Sequence, residues 1–228
     1  MSGAPAPPPA APGRRGSPRL AEAARRAGVR DPAVLDALLK VPRASYVPPQ
    51  HIGRADRDQP VPIPHGQVTS QPSLIAAMLA ALRLDGDETV LEIGTGYGFQ
   101  TALLARLART VWSVEWFTDL AEAACANLAR EKVANARVRC GDGTEGIPEA
   151  APFDAIVISA AFPEVPPPLV AQLAPGGRLV QPIGHGGEEL VTVFVRGGDG
   201  LRREELLIPA CFVRLLGRHG YPPSRPAQ

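Results

Sequence analysis

An acidic residue followed by three glycines at alternate positions marks the stretch Glu92-Ile93-Gly94-Thr95-Gly96-Tyr97-Gly98. Glycine adopts backbone conformations with positive φ, and because it has no Cβ atom a ligand can lie directly against its main chain. A helix that begins after such a loop also presents free N–H groups to a polar or anionic group. The spacing therefore indicates a loop that binds a nucleotide-like ligand, although an ordinary tight turn between a strand and a helix can carry the same glycines.

The glycine loop is predicted to join a strand to a helix. Thr89 to Ile93 is a short apolar run with β-branched residues, and apolar residues at helical spacing follow at Leu103, Leu104 and Leu107. A dinucleotide-binding loop would have its third glycine at position 99, where this chain has Phe99. The order found here instead resembles the first motif of the class I S-adenosylmethionine-dependent methyltransferases.

Two later strands are predicted to end beside this loop. The apolar run from Thr110 to Val114 ends at Glu115, an acid that could accept hydrogen bonds from both hydroxyls of a ribose. The run from Ala136 to Cys140 ends in Gly141-Asp142-Gly143, where class I methyltransferases commonly hold the adenine amino group. Each feature alone occurs in many loops, but together the three strand ends predict a cofactor cleft at the carboxyl edge of a parallel sheet.

The segment from His65 to Pro72 predicts a second ligand site. It precedes an amphipathic helix, in which Pro72 suits the first turn and Thr69 or Ser70 could serve as the cap. One interpretation is therefore simply a capped helix. The other is that hydroxyls and free N–H groups at the helix start hold a carboxylate. The buried face of this helix is predicted to consist of Leu74, Ile75, Met78, Leu79 and Leu82.

Several motifs in the same order make the chain resemble the protein-L-isoaspartate O-methyltransferases, over about residues 30 to 215. The matching residues before the glycine loop are Val41-Pro42-Arg43, Val47-Pro48, Asp58, Pro62-Ile63, His65-Gly66-Gln67 and Ser70-Gln71-Pro72. The later ones are Leu91 to Gly96, Gly141-Asp142-Gly143, Ala160-Ala161, Pro163 to Pro166, Leu173 to Val180 and Arg202 to Leu206.

The resemblance implies methylation of the abnormal carboxylate of L-isoaspartyl residues in proteins or peptides, which leads through a succinimide to repair. It implies S-adenosyl-L-methionine as cofactor, S-adenosyl-L-homocysteine as product, and Ser70 as the catalytic residue. The cofactor-binding residues predicted are Gln67, Thr69, Ser70, Glu92, Gly94, Gly96, Gln100, Glu115, Asp142 and Gly143. The substrate-binding residues predicted are Asp58, Thr69, Ser70 and Ser73.

Three departures from the family pattern lie where substrate and cofactor are expected to meet. The family's Thr-Ile-Ser is Val68-Thr69-Ser70 here, Tyr97 stands in place of a serine, and Pro64 in place of a glycine. Two other functions therefore stay open at the sequence level. One is the same chemistry on an ordinary aspartate of a dedicated precursor peptide, to form an aspartimide. The other is a non-catalytic S-adenosylmethionine-binding module.

Composition limits the partners. The formal net charge is +1, so no strong field favours nucleic acid or an anionic membrane. The three cysteines and four histidines are scattered, which predicts reduced core cysteines, no metal site and a cytoplasmic protein. No apolar stretch is long enough to span a bilayer. The partners expected are peptide or protein substrates, acted on by a monomer.

The predicted fold class is α/β: a doubly wound, mostly parallel Rossmann-like sheet with an N-terminal helical cap and a C-terminal β-hairpin. Residues 18–216 are assigned to the methyltransferase domain, of which 18–72 form the helical and substrate-rim part and 73–216 the cofactor-binding core. Residues 1–17 are predicted to be a disordered Pro/Ala-rich tail and 217–228 a flexible tail. A turn is expected at Pro175-Gly176-Gly177, and the hairpin around Gly197 to Gly200.

Overall fold

The computed structural model describes residues 16–185 and 187–223, which form an α/β fold around a seven-stranded sheet. A separate two-stranded ribbon pairs β1 (Val61–Pro62) with β2 (Val68–Thr69) in antiparallel fashion. The strands of the main sheet are β3 (Thr89–Ile93), β4 (Thr110–Glu115), β5 (Ala136–Cys140), β6 (Phe153–Ile158), β7 (Leu173–Ile183), β8 (Glu189–Gly197) and β9 (Gly200–Ala210).

Within the described residues, six α-helices pack on the sheet or cap it, with short 3-10 helices between them. Two of the α-helices precede the ribbon, one lies between the ribbon and the main sheet, and the others connect strands. The α-helices are α1 (Pro18–Arg26), α2 (Pro32–Lys40), α3 (Pro72–Leu82), α4 (Phe99–Leu107), α5 (Thr118–Arg130) and α6 (Pro167–Gln172). The 3-10 helices are Arg43–Tyr46, Pro49–Arg54, Gly143–Glu145 and Pro148–Ala150.

The strand order is β5-β4-β3-β6-β7-β8-β9, and all neighbours from β5 to β7 are parallel. The chain runs outward from β3 to β5 in one direction and then returns to place β6 on the other side of β3. The reversal creates a crevice at the carboxyl ends of β3 and β6, where open α/β sheets bind ligands. Strands β7, β8 and β9 complete the sheet as an antiparallel meander. The predicted fold class is confirmed.

Two apolar clusters cover the two faces of the sheet. Val90 belongs to the larger cluster, which includes buried residues of α1 to α4, and its neighbour Leu91 belongs to the smaller one on the opposite face. This division follows because successive side chains of a strand point to opposite faces. The central strands are therefore apolar on both faces, as their continuous apolar sequences predict.

Several local predictions were wrong. Strand β7 already begins at Leu173, so the expected turn at Pro175-Gly176-Gly177 lies inside the strand, beside a register irregularity against β6. Leu74, predicted on the buried face of α3, is only partly buried, whereas Ile75, Met78, Leu79 and Leu82 are buried. The three cysteines are free but exposed, so they are not core residues.

The described residues extend into both predicted tails. Ser17 is buried; its hydroxyl accepts a hydrogen bond from Leu20 N, and its N–H donates to Leu38 O at 3.0 Å. At the other end, Arg218 N donates to Asp142 Oδ2 at 2.7 Å, and the Tyr221 ring packs edge-on against Phe162. The described structure therefore includes residues that the sequence assigned to both tails. Residues 1–15 and 224–228 lie outside the described part of the chain. Among the described helices, none has the length and hydrophobicity needed to cross a bilayer.

Candidate active site

A pocket lies at the carboxyl ends of β3, β4 and β6, in the crevice created by the reversal of strand order. The structure brings seven of the predicted site residues to its wall: Gln67, Thr69, Ser70, Gly94, Gly96, Gln100 and Glu115. Glu92, Asp142 and Gly143 are not among the lining residues. Five of the twelve predicted site residues, these three together with Asp58 and Ser73, therefore lie away from the wall of this pocket.

The glycine loop forms one wall of this pocket, and its glycines adopt the left-handed backbone conformation with positive φ. Gly94 has φ +94° and Gly96 has φ +56°, a region that other residues rarely adopt. The loop leads directly into α4, whose first residues Phe99 and Gln100 also line the pocket. Main-chain atoms are therefore accessible where a ligand would lie against the loop.

Glu115 is the one acid on the pocket wall in the described part of the chain. Its carboxylate is 5% exposed and accepts hydrogen bonds from Gly96 N at 2.8 Å and from Phe117 N at 3.1 Å, one on each oxygen. Burial raises the pKa of Glu115, while these backbone hydrogen bonds oppose the shift. A carboxylate has about four acceptor positions, so two remain for a pair of ligand hydroxyls.

Glu92 lies behind the glycine loop instead of on the pocket wall. Its side chain is fully buried, and one carboxylate oxygen accepts hydrogen bonds from the hydroxyls of Thr101 and Ser113. The other oxygen has no hydrogen-bond partner within the described residues. Glu92 therefore links β3, β4 and α4 beneath the loop, and it supports the pocket from behind.

Burial raises the pKa of Glu92 to about 7, although the hydrogen bonds from Ser113 and Thr101 act to lower it. The native state then retains a proton that the unfolded chain loses above about pH 4.5. We expect the free energy of unfolding to fall between about pH 5 and 7, and Glu92→Gln to remove up to about 3 kcal/mol of that fall. Urea denaturation at several pH values measures this, with exposed Glu122→Gln as control. Parallel pH curves for the Glu92 variant and wild type would contradict it.

Asp142, predicted to hold an adenine amino group, is engaged within the protein. One carboxylate oxygen accepts from Thr144 N and Thr144 Oγ1, and the other accepts from Arg218 N. Gly143 is packed so closely that a Cβ atom would lie 2.5 Å from Cγ2 of Ile93. In this structure the end of β5 therefore anchors the residues after position 216, which the sequence assigned to a flexible tail.

The cap of α3 also differs from the prediction. Neither Thr69 nor Ser70 caps this helix; its N-cap residue is Gln71, without a capping hydrogen bond of its own. Instead Asp58 accepts from Ser73 N at 2.8 Å and from Gln71 Nε2 at 2.9 Å. Asp58 and Ser73, predicted to bind substrate, therefore stabilise the helix start beside Ser70.

Two residues of the pocket wall, Ser159 and Phe117, were missed by sequence reasoning. Ser159, at the end of β6, lines the pocket and accepts a hydrogen bond from Gln100 Nε2 at 2.9 Å. The His65 ring stacks on Phe117 at 4.2 Å between centroids, which joins the β1–β2 ribbon to the start of α5. A single serine or phenylalanine forms no motif that the sequence could reveal. Ser159 lies at the pocket because β6 is next to β3 in the sheet, and only the strand order could have predicted this.

The pocket has the chemistry of a nucleoside site. Glu115 can accept from vicinal hydroxyls, the glycine loop offers accessible backbone, and Ile93, Trp116 and Leu120 supply apolar wall for a flat base. The described residues contain no group of three His, Cys, Asp or Glu side chains able to hold a metal ion.

The sequence model of the family described as Protein-L-isoaspartate(D-aspartate) O-methyltransferase (PCMT) matches residues 16–220. The chain belongs to this family. The resemblance stated from the motifs is confirmed. A relative named protein-L-isoaspartate O-methyltransferase, from Anaeromyxobacter dehalogenans (strain 2CP-C), is 52% identical over 201 residues, which cover 87% of this chain and 96% of the relative. One of the same name from Methanoculleus marisnigri is 47% identical over 199 residues, or 86% of this chain and 89% of the relative.

Two solved structures agree with the family assignment. A protein-L-isoaspartate O-methyltransferase superimposes with a TM-score of 0.78 at 28% identity, covering 89% of this chain and 66% of that one. The second is a putative protein-L-isoaspartate O-methyltransferase from Plasmodium falciparum, solved in complex with S-adenosyl-L-homocysteine. It superimposes with a TM-score of 0.75 at 25% identity, and the match covers 86% of this chain and 96% of that one. These relatives do not favour the dedicated-peptide or non-catalytic alternatives.

Proposed function

We propose that this member of the family uses S-adenosyl-L-methionine to methylate the carboxylate of L-isoaspartyl residues in proteins and peptides, releasing S-adenosyl-L-homocysteine. The observation that carries the proposal is the position of Ser70. This residue lines the pocket at the glycine loop and also a neighbouring groove between α3 and β9. Ser70 therefore lies where a cofactor in the pocket and a peptide in the groove would meet.

The residues on the pocket wall fit this cofactor. Glu115 would hold the ribose hydroxyls, and the backbone of Gly94 and Gly96 would contact the amino-acid end. Ile93 and Trp116 would enclose the adenine. The cofactor supplies a methyl group that is already activated by its sulfonium charge.

The protein's part in the reaction is to hold the acceptor. A carboxylate is ionised at neutral pH, so the acceptor needs no general base. Ser70 and adjacent main-chain N–H groups can orient it, and the pocket wall can exclude water. A few such donors suit the reaction, because strong stabilisation of the acceptor anion would lower its reactivity. The methyl ester then loses methanol when the next backbone nitrogen attacks its carbonyl carbon, which closes a succinimide.

The proposal is tested by base-labile methyl incorporation from labelled S-adenosylmethionine into one peptide, supplied in isoaspartyl and in aspartyl form. We expect incorporation into the isoaspartyl peptide at least about tenfold above that into the aspartyl peptide. Only in the isoaspartyl form does the main chain continue through the side-chain carbonyl, which leaves the free carboxylate attached directly to Cα. The same peptide with asparagine at this position is the control. Equal incorporation into both acidic forms, or incorporation into neither, would overturn the proposal.

A further inference from the structure

Arg43 is a buried cation beside residues 68–70, called the acceptor segment below because they carry Ser70. Its side chain is 1% exposed, and its guanidinium donates to main-chain carbonyls, Arg57 O at 3.0 Å and Gln59 O at 2.9 Å. Within residues 16–185 and 187–223, no carboxylate lies at ion-pair distance from it, so a charge has been buried without a direct counter-ion. Burying a charge in this way is costly unless hydrogen bonds compensate. The arrangement therefore calls for a role beyond packing.

The same guanidinium extends to the residues that line the pocket. One of its terminal nitrogens also donates to Thr69 Oγ1 at 3.0 Å and to Ser70 O at 3.1 Å. Its central carbon lies 5.7 Å from the centre of the Phe99 ring, at the first residue of α4. Arg43 thus joins the segment around residues 57–59, the acceptor segment and the helix that follows the glycine loop.

The hydrogen bond from Arg43 determines what the Thr69 hydroxyl can do. A threonine hydroxyl has one O–H to donate and two lone pairs to accept with. Because its oxygen accepts from Arg43, the O–H remains available to donate, and acceptance from a cation strengthens that outgoing bond. Thr69 is 7% exposed and lines the pocket next to Ser70. Thr69 therefore retains an O–H that it can donate, on a residue of the pocket wall next to Ser70.

We propose that Arg43 is a positioning residue that acts through Thr69, making the Thr69 hydroxyl a second donor, beside Ser70, to the acceptor carboxylate. The inference rests on the proposed function. It accounts for the departure from the family pattern, in which Val68 replaces a threonine. Val68 lines both the pocket and the groove, and here the neighbouring Thr69 supplies the hydroxyl that position 68 lacks.

The test measures kcat and KM for the isoaspartyl peptide, together with the Kd for S-adenosyl-L-homocysteine. We expect Thr69→Val to lower kcat about tenfold, the effect of one charge-assisted hydrogen bond, with the Kd changed less than about threefold. Thr69→Ser keeps kcat within about threefold of wild type. Arg43→Lys retains the charge but not the planar fork, and lowers kcat by a similar factor. Arg57→Lys changes an exposed arginine in the segment around residues 57–59 and serves as the matched control for an arginine-to-lysine replacement.

Two further variants distinguish positioning from simple structural support. The Arg43→Lys/Thr69→Val double variant is expected to be no slower than Thr69→Val, because Arg43 acts through that hydroxyl. The Val68→Thr/Thr69→Ile pair, which restores the family order, is expected to regain at least half of wild-type kcat. Thr69→Val activity within threefold of wild type, or additive effects in the double variant, would overturn the inference. If the Arg43→Lys variant does not fold, the kcat values of Thr69→Val and of Val68→Thr/Thr69→Ile test the inference without it. A wild-type enzyme inactive on the isoaspartyl peptide would instead overturn the proposed function.

Discussion

Replacing Glu115 by alanine is expected to weaken the binding of S-adenosylmethionine about 100-fold and to change kcat at saturating cofactor by less than about threefold. The carboxylate lines the pocket, and each of its oxygens is fixed by one backbone N–H, from Gly96 or Phe117. Two ribose hydroxyls donating to it would each contribute about 1.5 kcal/mol, since bonds to charged groups are stronger than neutral ones. Together these equal about two powers of ten in the dissociation constant.

Calorimetric titration with S-adenosylhomocysteine, run in parallel with turnover measurements, tests this separation. Glu115→Gln keeps the shape of the side chain and one acceptor oxygen, so we expect a loss of affinity of about tenfold. Glu122→Ala removes an exposed acid from α5 and serves as the control for a change of charge near the site. If Glu115→Ala reduced kcat as much as affinity, the assignment of Glu115 to cofactor binding would be wrong.

The features that sequence predicted correctly are those determined locally. Strand β3 has the predicted bounds, Thr89 to Ile93, because an apolar β-branched run ends directly at a glycine loop. The hairpin of β8 and β9 follows equally from neighbouring residues: β8 ends at Gly197 and β9 begins at Gly200, within the glycine-rich stretch that predicts a turn. The glycine loop and Glu115 then meet because parallel strands end at the same edge of the sheet.

Contacts between distant parts of the chain determine which predicted residues lie away from the pocket wall. Asp142 was assigned to the cofactor, but residues that return some 75 positions later supply its partner, Arg218 N. The cap of α3 comes from Asp58 across a loop, at a sequence separation of 15 from Ser73, and no local pattern indicates it. Glu92 shares the motif of the loop, yet hydroxyls from α4 and β4 draw it into the interior. Motif spacing identified the pocket, whereas tertiary packing determines which acid lines it.

Ser70→Ala is expected to lower kcat for an isoaspartyl peptide by about 10- to 100-fold while leaving the Kd for S-adenosylhomocysteine within about threefold of wild type. Ser70 lies where the pocket meets the groove, and a hydroxyl donating to a carboxylate contributes about 1.5–3 kcal/mol. Its main-chain carbonyl is already held by Arg43, so removal of the hydroxyl leaves the backbone of the acceptor segment in place.

The expected pattern is therefore the opposite of that for Glu115→Ala, and the two variants together test how roles divide between cofactor and acceptor. Ser45→Ala, in the 3-10 helix Arg43–Tyr46 and away from both pocket and groove, is the control. Steady-state turnover and calorimetry on the same preparations give both quantities. A Ser70 variant that loses cofactor affinity in proportion to kcat would place this residue in the cofactor site alone. The carboxylate would then depend on Thr69, the neighbouring hydroxyl residue on this wall of the pocket.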